Sequence, residues 1–168
     1  IKMNKKTNVS VLEPERCTGC GVCEDSCPVG AIVIGEDAEG VRAPFVDQQK
    51  CIDCKACVRC CPALALKKPN RKEPDMYAVR ASDEVRARSS SGGVFTLLAE
   101  HILNCGGAVC GAAFDEEMRL KHVLVEFAEE LPRLRGSKYL QSDTGGIYRQ
   151  VKQKLKQGKK VLFVGTPC

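Results

Sequence analysis

Two cysteine runs contain the residues of this chain whose types and spacing could do chemistry. Residues 17–28 read CTGCGVCEDSCP, residues 51–62 read CIDCKACVRCCP, and each contains the spacing Cys-x2-Cys-x2-Cys-x3-Cys-Pro. Thiolates at this spacing hold [4Fe–4S] clusters, because three of them lie on one tight loop and the fourth points away from it. Small residues between the cysteines let backbone N–H groups approach the sulfurs. The pattern therefore predicts two iron–sulfur clusters, and hence electron transfer.

The second run repeats the first. The cysteines and prolines of the two runs match at a constant offset of 34 residues, and Ala31-Ile32 matches Ala65-Leu66 at the same offset. A fixed offset over so many positions indicates two similar halves packed together. In two-cluster ferredoxins, which these runs resemble, the fourth cysteine of each run ligates the other cluster. The expected ligand sets are therefore Cys17, Cys20, Cys23 and Cys61 for the first cluster, and Cys51, Cys54, Cys57 and Cys27 for the second.

Three alternatives to this assignment stay open. Cys60 lies beside Cys61 and could replace it as the ligand, although the offset and the following proline favour Cys61. A disulfide framework needs an oxidising compartment, and the first residues, IKMNKKTNVSVLE, contain no apolar secretory stretch. Zinc ribbons also use Cys-x2-Cys pairs, but a zinc site takes two such pairs rather than four cysteines ending in Cys-Pro. The spacing favours iron–sulfur clusters over both.

The composition is typical of a globular protein. The 168 residues are 43% hydrophobic and 28% charged, and no apolar run approaches the roughly 18 residues of a membrane span. Twelve cysteines without a targeting segment indicate a reducing cytoplasm. The formal charge of +5 counts the cysteines as neutral, whereas two oxidised clusters with their thiolates would add about −4. We therefore expect a nearly neutral loaded protein with no nucleic-acid partner.

The chain divides into two predicted domains. Residues 1–66 are expected to form an α+β ferredoxin-like two-cluster domain, with strands at 31–34 and 44–47 and a short helix after each third cysteine. Residues 67–75, KKPNRKEPD, are charged and contain prolines, which is typical of a linker. Strands and helices then alternate, so an incomplete α/β domain with a mixed or partly parallel sheet is expected over 76–168. Its predicted strands are 76–80, 108–114, 120–127, 138–141 and 161–164, and its predicted helices are 94–104, 129–134 and 146–157.

Four segments of the second domain resemble one family. They are SSGGVF at 90–95, GAAFDE at 111–116, RGSKYLQSD at 135–143 and KVLFVGTPC at 160–168. With the cysteine runs in front of them, they make the chain similar to the beta subunit of the factor-420 (deazaflavin coenzyme) hydrogenase/dehydrogenase family. The last segment stops where a strand enters a loop, so we expect the α/β domain to be C-terminally truncated here.

The resemblance implies a flavoprotein. Family members typically bind FAD, which we expect in the full-length protein, and a flavin accepts either single electrons or a hydride. A serine-glycine loop that opens a helix suits a phosphate, because helix N-termini present free N–H groups. An ordinary N-cap and turn is the alternative interpretation of that loop. Lys138 could place positive charge near a reduced flavin, and Tyr139 could stack on a ring. The implied cofactor-binding residues are Ser90, Ser91, Gly92, Gly93, Gly136, Ser137, Lys138, Tyr139, Gln141 and Ser142.

These features together predict electron transfer between a redox partner and a flavin site in one component of an oxidoreductase. The resemblance implies a redox partner, either a separate protein or another subunit, and a deazaflavin coenzyme or another hydride acceptor. The alternative is a stand-alone ferredoxin-type carrier whose second region only docks a partner. No residue is identified as catalytic, and the role of Cys168 would depend on residues beyond it. The remaining cysteines and histidines of the second domain are expected to be structural, namely Cys105, Cys110, His101 and His122.

Overall fold

The computed structural model describes residues 7–65 and 75–166, which fall into two compact units. The first unit contains both cysteine runs together with residues 144–146, and the second contains the other described residues from 75 onward. All but one residue of the predicted linker lies outside the described residues, as does Cys168. The helices are α1 (Val22–Asp25), α2 (Ala56–Cys60), α3 (Pro62–Ala65), α4 (Asp83–Ala87), α5 (Val94–Asn104) and α6 (Ile147–Lys156). The strands are β1 (Ile32–Glu36), β2 (Arg42–Val46), β3 (Ala108–Phe114), β4 (Leu120–Val125) and β5 (Val161–Phe163). Short 3-10 helices occupy Val9–Val11, Pro14–Arg16 and Ala128–Leu134.

A hairpin connects the two cysteine runs in the first unit. Strands β1 and β2 pair antiparallel with Ile32 opposite Val46, at the positions where the sequence predicts short strands. Asp37 closes the turn, because its Oδ1 accepts from the backbone N–H groups of Glu39 at 2.9 Å and Val41 at 2.8 Å. This hairpin lies between the two cysteine loops in the chain and contributes Ile32 to the core of the unit.

The core of the first unit is small and contains cysteines. Val9, Ile32, Cys23 and Cys57 form its buried cluster. So few apolar side chains supply little hydrophobic stabilisation, which is the situation in which small domains depend on a bound metal. The two thiols in this cluster are both among the expected cluster ligands.

A mixed three-stranded sheet forms the centre of the second unit. The strand order is β4-β3-β5, with β3 antiparallel to β4 and parallel to β5. Helix α5 and the 3-10 helix at Ala128–Leu134 pack on the sheet through Ala99, Leu131 and Leu134. The expected mixture of strand directions is therefore present in this unit.

Two glycines end the long helix α5, as the sequence predicts. The N–H of Gly107 donates to the carbonyl of Ile102 at 2.9 Å, and the N–H of Gly106 donates to Leu103 at 2.8 Å. This is the Schellman arrangement, and Gly106 adopts the left-handed φ of +69° that it requires. A Cβ on Gly107 would lie 2.6 Å from the carbonyl oxygen of Lys160, so only glycine fits beside the segment that leads into β5.

Three predicted elements differ from the structure. Residues 76–80 and 138–141 are irregular rather than strands, and the side chain of Tyr139 is 93% exposed. The predicted helix at 129–134 is a 3-10 helix that contains Pro132, whose ring nitrogen has no N–H to donate. Along 7–65 and 75–166, no helix is long and apolar enough to cross a bilayer.

Candidate iron–sulfur and cofactor sites

Cysteines from both runs line one cavity of the first unit. Cys17, Cys20, Cys23 and Cys61 all lie on its wall, and Cys27 does not, although it belongs to the first run. This is the expected crossed set of ligands for the first cluster. Because Cys23 and Cys61 belong to different runs, their sulfurs come together only when the chain folds.

Matching backbone turns shape the two cysteine loops. In the first run Gly19 and Gly21 have left-handed φ values of +64° and +74°, and in the second Asp53 and Lys55 have +55° and +59°. These residues stand 34 positions apart, so the sequence repeat is also a conformational repeat. Helices α1 and α2 each begin directly after the second left-handed residue. The third cysteine of each run consequently lies inside its helix, one residue later than the helix start, rather than before it.

A hydrogen bond from a residue far along the chain stabilises the first cysteine loop. Thr144, which belongs to the same compact unit, donates from Oγ1 to the carbonyl oxygen of Cys20 at 2.8 Å. A Cβ on Gly21 would lie 2.6 Å from that hydroxyl oxygen. Gly21 therefore satisfies two demands at once, a left-handed turn and a close approach by Thr144.

Members of the second expected set lie around the core of the unit. Cys27 packs against the buried cluster that contains Cys57. The Cys27 sulfur accepts from the N–H of Ala31 at 3.2 Å, and the Cys51 sulfur accepts from Nδ2 of Asn8 at 3.5 Å. Hydrogen bonds to ligand sulfurs are a principal means by which proteins tune cluster potentials. Sequence reasoning missed Asn8, because nothing in its neighbourhood in the chain links it to Cys51.

Burial favours the protonated thiol at Cys23 and Cys57, one cysteine of each set. Desolvation, followed by the nearby Cys20 thiol, raises the pKa of Cys23 to about 12, and desolvation also raises the pKa of Cys57. A buried thiolate therefore needs the charge of bound metal to exist at neutral pH, and metal uptake must release protons. Among the described residues, no three His, Cys, Asp or Glu side chains converge on a single metal ion. The cysteines of a [4Fe–4S] cube bind different irons and lie farther apart than the ligands of one ion.

A larger cavity of about 370 Å³ opens in the second unit. Small and hydroxyl-bearing side chains dominate its wall, so a ligand can approach the backbone closely there. Six of the ten residues implied as flavin-binding line it, namely Ser90, Ser91, Gly92, Gly93, Gly136 and Ser137. Two loops that are distant in the sequence, at 89–96 and 134–137, thus meet at one cavity.

Positive charge and an open helix end face this cavity. Helix α5 begins after Gly93 (φ +79°), which has no side chain that could cap the first turn. The N–H of Thr96 donates to the Gly93 carbonyl at 3.1 Å, and no N-cap side chain accepts from the N–H groups before it. Arg135 also lines the cavity, and its Nε donates to Oγ1 of the buried Thr96 at 3.3 Å. Sequence reasoning missed both Arg135 and Thr96, although Arg135 is the first letter of the RGSKYLQSD segment.

The other four implied flavin residues lie away from the cavity wall. Lys138 turns back on its own loop, where Nζ donates to the carbonyls of Arg135 at 2.7 Å and Arg133 at 3.3 Å. Burial lowers the pKa of Lys138. Ser142 Oγ lies 2.6 Å from Nδ1 of His122. Tyr139 and Gln141 are exposed.

Comparison with known proteins finds two family models that match successive parts of the chain. Residues 16–65 match the family model described as 4Fe-4S dicluster domain. Residues 76–147 match the model described as coenzyme F420 hydrogenase/dehydrogenase, beta subunit N-terminus. Together the two matches cover most of the chain.

Three curated relatives illustrate the match. A subunit of the F(420)H(2) dehydrogenase of Methanosarcina mazei is 29% identical over 172 residues, covering 94% of this chain and 47% of that protein. An uncharacterized protein of Methanocaldococcus jannaschii is 28% identical over 200 residues, covering 100% of this chain and 54% of that protein. Ferredoxin-3 of Chlorobaculum tepidum is 38% identical over 66 residues, covering 36% of this chain and 98% of that ferredoxin. The chain spans about half the length of the first two relatives. The chain is similar to the beta subunits of coenzyme F420 hydrogenases/dehydrogenases, because a [4Fe–4S] dicluster match stands in front of a match to the N-terminal domain of that family.

Proposed function

We propose that this chain carries electrons between a redox partner and a flavin bound by its second unit. The observation that carries the proposal is the cavity lined by cysteines of both runs, Cys17, Cys20, Cys23 and Cys61. In two-cluster ferredoxins the fourth cysteine of each run ligates the cluster of the other run, and the clusters exchange single electrons. The position of Cys61 beside the first three cysteines supports the same arrangement here. The family match of the second unit adds the flavin, which can take up single electrons and deliver a hydride.

The first unit would hold both clusters through its crossed cysteines. The polypeptide contributes burial of Cys23 and Cys57, which keeps water away from the ligand sulfurs. It also contributes hydrogen bonds, such as those from Ala31 N–H and Asn8 Nδ2 to the sulfurs of Cys27 and Cys51. Burial and hydrogen bonding to sulfur both shift reduction potentials, so these residues adjust how readily the unit accepts an electron.

The second unit would bind FAD at the cavity around the start of α5. The uncapped helix end and Arg135 together favour an anionic group, as the diphosphate of FAD would be. Thr96 fixes the guanidinium of Arg135 by accepting from its Nε. A volume of about 370 Å³ would hold part of an FAD molecule, since sites for drug-sized ligands range from roughly 300 to 1,000 Å³.

The partners follow from the same proposal. Relatives include one component of a dehydrogenase and one component of the Na(+)-translocating ferredoxin:NAD(+) oxidoreductase complex of Acetobacterium woodii. We therefore propose that a partner protein, separate or within one complex, is the source or sink of electrons, and that a deazaflavin coenzyme or another hydride acceptor reacts at the flavin. A reducing cytoplasm would keep the cysteines available for clusters.

Anaerobic reconstitution of the full-length protein, in which FAD is expected, followed by analysis of iron, sulfide and flavin tests the proposal. The expected protein contains about eight iron and eight sulfide per chain, and the fluorescence of added FAD is quenched or shifted as it binds. Arg135→Gln should weaken FAD binding about tenfold, or ~1.4 kcal/mol, with iron content unchanged. The matched control is Arg133→Gln, since Arg133 is exposed and does not line the cavity. Equal FAD affinity in the two variants would refute the flavin site.

A stand-alone electron carrier is the second candidate function. The observation in its favour is that Ferredoxin-3 matches over 98% of its own length within the first unit of this chain. In that case the second unit would only dock a partner. A protein that holds about eight iron but binds no FAD at any concentration would support the carrier and refute the flavin proposal.

A further inference from the structure

Cys60 is a thiol of the second run that has no place in either expected ligand set. It is half-buried, and its Sγ donates to the carbonyl oxygen of Cys57 at 3.3 Å. The same sulfur lies 3.7 Å from the carbonyl oxygen of Val22. Cys57 belongs to α2 of the second run, and Val22 begins α1 of the first. The Cys60 thiol therefore links the helices that carry the two third cysteines.

The sequence repeat gives Cys60 a counterpart in the first run. Subtracting the offset of 34 from 60 leads to Ser26, and Ser26 forms a side-chain hydrogen bond with Cys60. The N–H of Ser26 also donates to the carbonyl of Val22 at 3.0 Å, the oxygen that the Cys60 sulfur approaches. Equivalent positions of a twofold repeat meet only near the axis that relates the two halves. Ser26 and Cys60 therefore mark that axis.

The surroundings of Cys60 include members of both ligand sets. The Cys60 thiol interacts electrostatically with Cys61, Cys20 and Cys23 of the first set and with Cys57 of the second. A polar group at this position contributes to the electrostatic environment of both sets. The serine and the cysteine differ in size and in hydrogen-bonding strength, so the two halves are chemically unequal at the axis itself.

We propose that Cys60 is a positioning residue rather than a ligand, and that with Ser26 it sets the difference in reduction potential between the two clusters. Its thiol acts by fixing the distance between α1 and α2 and by placing a weak dipole between the two sets of ligand sulfurs. Reduction potentials respond to such hydrogen bonds and to local polarity. The inference rests on the ligand sets proposed above, and its experiment separates the two questions.

Redox titration of the reconstituted protein, followed by electron paramagnetic resonance, tests the inference. Cys60→Ala and Cys60→Ser should both retain about eight iron. Cys60→Ala should change the equilibrium constant for electron exchange between the clusters about tenfold, or ~59 mV for a one-electron couple. Cys60→Ser makes the two halves alike at the axis and should bring the potentials closer together. Cys105→Ala, which removes an exposed thiol of the second unit, should change neither quantity.

Each contrary outcome has a separate meaning. Full iron content with unchanged potentials in both Cys60 variants would overturn the positioning role alone. Loss of about four iron in Cys60→Ala, with full iron in Cys61→Ala, would make Cys60 a ligand and overturn the inference. An unsubstituted protein that takes up only about four iron would refute the proposed ligand sets and this inference with them. Should Cys60→Ala fail to fold, Ser26→Ala provides the same measurement from the other side of the axis.

Discussion

Replacing Gly21 by alanine should destabilise the first cysteine loop in two separable ways. The left-handed φ of +74° opposes any Cβ, at a cost of about 1–2 kcal/mol. The new Cβ would also lie 2.6 Å from Oγ1 of Thr144, a residue only 9% exposed that has little room to move. Displacing Thr144 would break its bond to Cys20, which contributes about 0.5–1.5 kcal/mol. The sum predicts a loss of about 1.5–3.5 kcal/mol for Gly21→Ala.

Two further variants separate these contributions. Gly30→Ala meets the same backbone strain at φ +62° but has open space around the new Cβ, so it should lose only about 1–2 kcal/mol. Thr144→Ala removes the obstructing hydroxyl. The double variant Gly21→Ala/Thr144→Ala should therefore lose about 1 kcal/mol less than the sum of the single losses.

The assay is anaerobic urea unfolding of the reconstituted protein, followed through the visible absorption of its clusters. The midpoints of Gly21→Ala, Gly30→Ala, Thr144→Ala and the double variant are compared with that of the parent. If Gly21→Ala and Gly30→Ala lost equal stability, and the double variant were additive, the close approach between Gly21 and Thr144 would not exist in solution.

Three other measurements check the second unit. Leu131→Ala, at a core position only 1% exposed, should cost about 2–5 kcal/mol of unfolding free energy. Leu155→Ala, near the end of α6 at a position that is 55% exposed, should cost less than about 1 kcal/mol. A hydrogen bond from Lys121, with backbone and Arg119 contacts, holds the pKa of Asp115 below its usual range. The native state therefore gains stability from the Asp115 carboxylate above pH 3.8, the ordinary value, and loses it as the pH falls through the lower native pKa. Asp115→Asn should accordingly lower the unfolding midpoint at neutral pH, and its difference from the parent should shrink in acid. Burial raises the pKa of Cys110 to about 12, so iodoacetamide at pH 8 should modify it roughly a hundredfold or more slowly than the exposed Cys105.

Contrary results in these measurements have clear structural meanings. Equal effects of the two leucine substitutions would mean that Leu131 is not in the core. A pH-independent difference for Asp115→Asn would mean that its ion pairs do not persist in solution. Equal modification of the two cysteines, read by mass spectrometry of their peptides, would place Cys110 at the surface.

Local patterns explain what could be predicted from the sequence. Helix α5 matches its predicted bounds because an apolar run of helical period ends at Gly106 and Gly107, which form the Schellman hydrogen bonds themselves. The strands β1 and β2 lie within about two residues of their predicted bounds, whereas their pairing through the Asp37 turn was not predicted. In both cases the interactions that define the element join neighbours in the chain.

Predicted strands without a partner did not form. Residues 76–80 and 138–141 have strand-like composition, but a strand needs an adjacent strand to receive its hydrogen bonds, and the sheet of the second unit contains β4, β3 and β5 alone among the described residues. At 138–141 the loop instead folds Lys138 back on the carbonyls of Arg133 and Arg135. Residue propensity indicates that a segment can form a strand. Whether the strand forms depends on its pairing with another segment, which is often distant in the sequence.

The sequence by itself determined the cofactor chemistry of the first unit, because the spacing that suits a [4Fe–4S] cube is confined to two short runs and needs no knowledge of the fold. The same holds for the repeat of 34 residues, which reappears as paired left-handed turns in the two loops. Tertiary structure alone decided which other distant groups meet, such as Asn8 with Cys51 and Thr96 with Arg135. Those contacts join residues about 40 positions apart. A local sequence pattern cannot predict them, because each contact depends on how whole elements pack against each other.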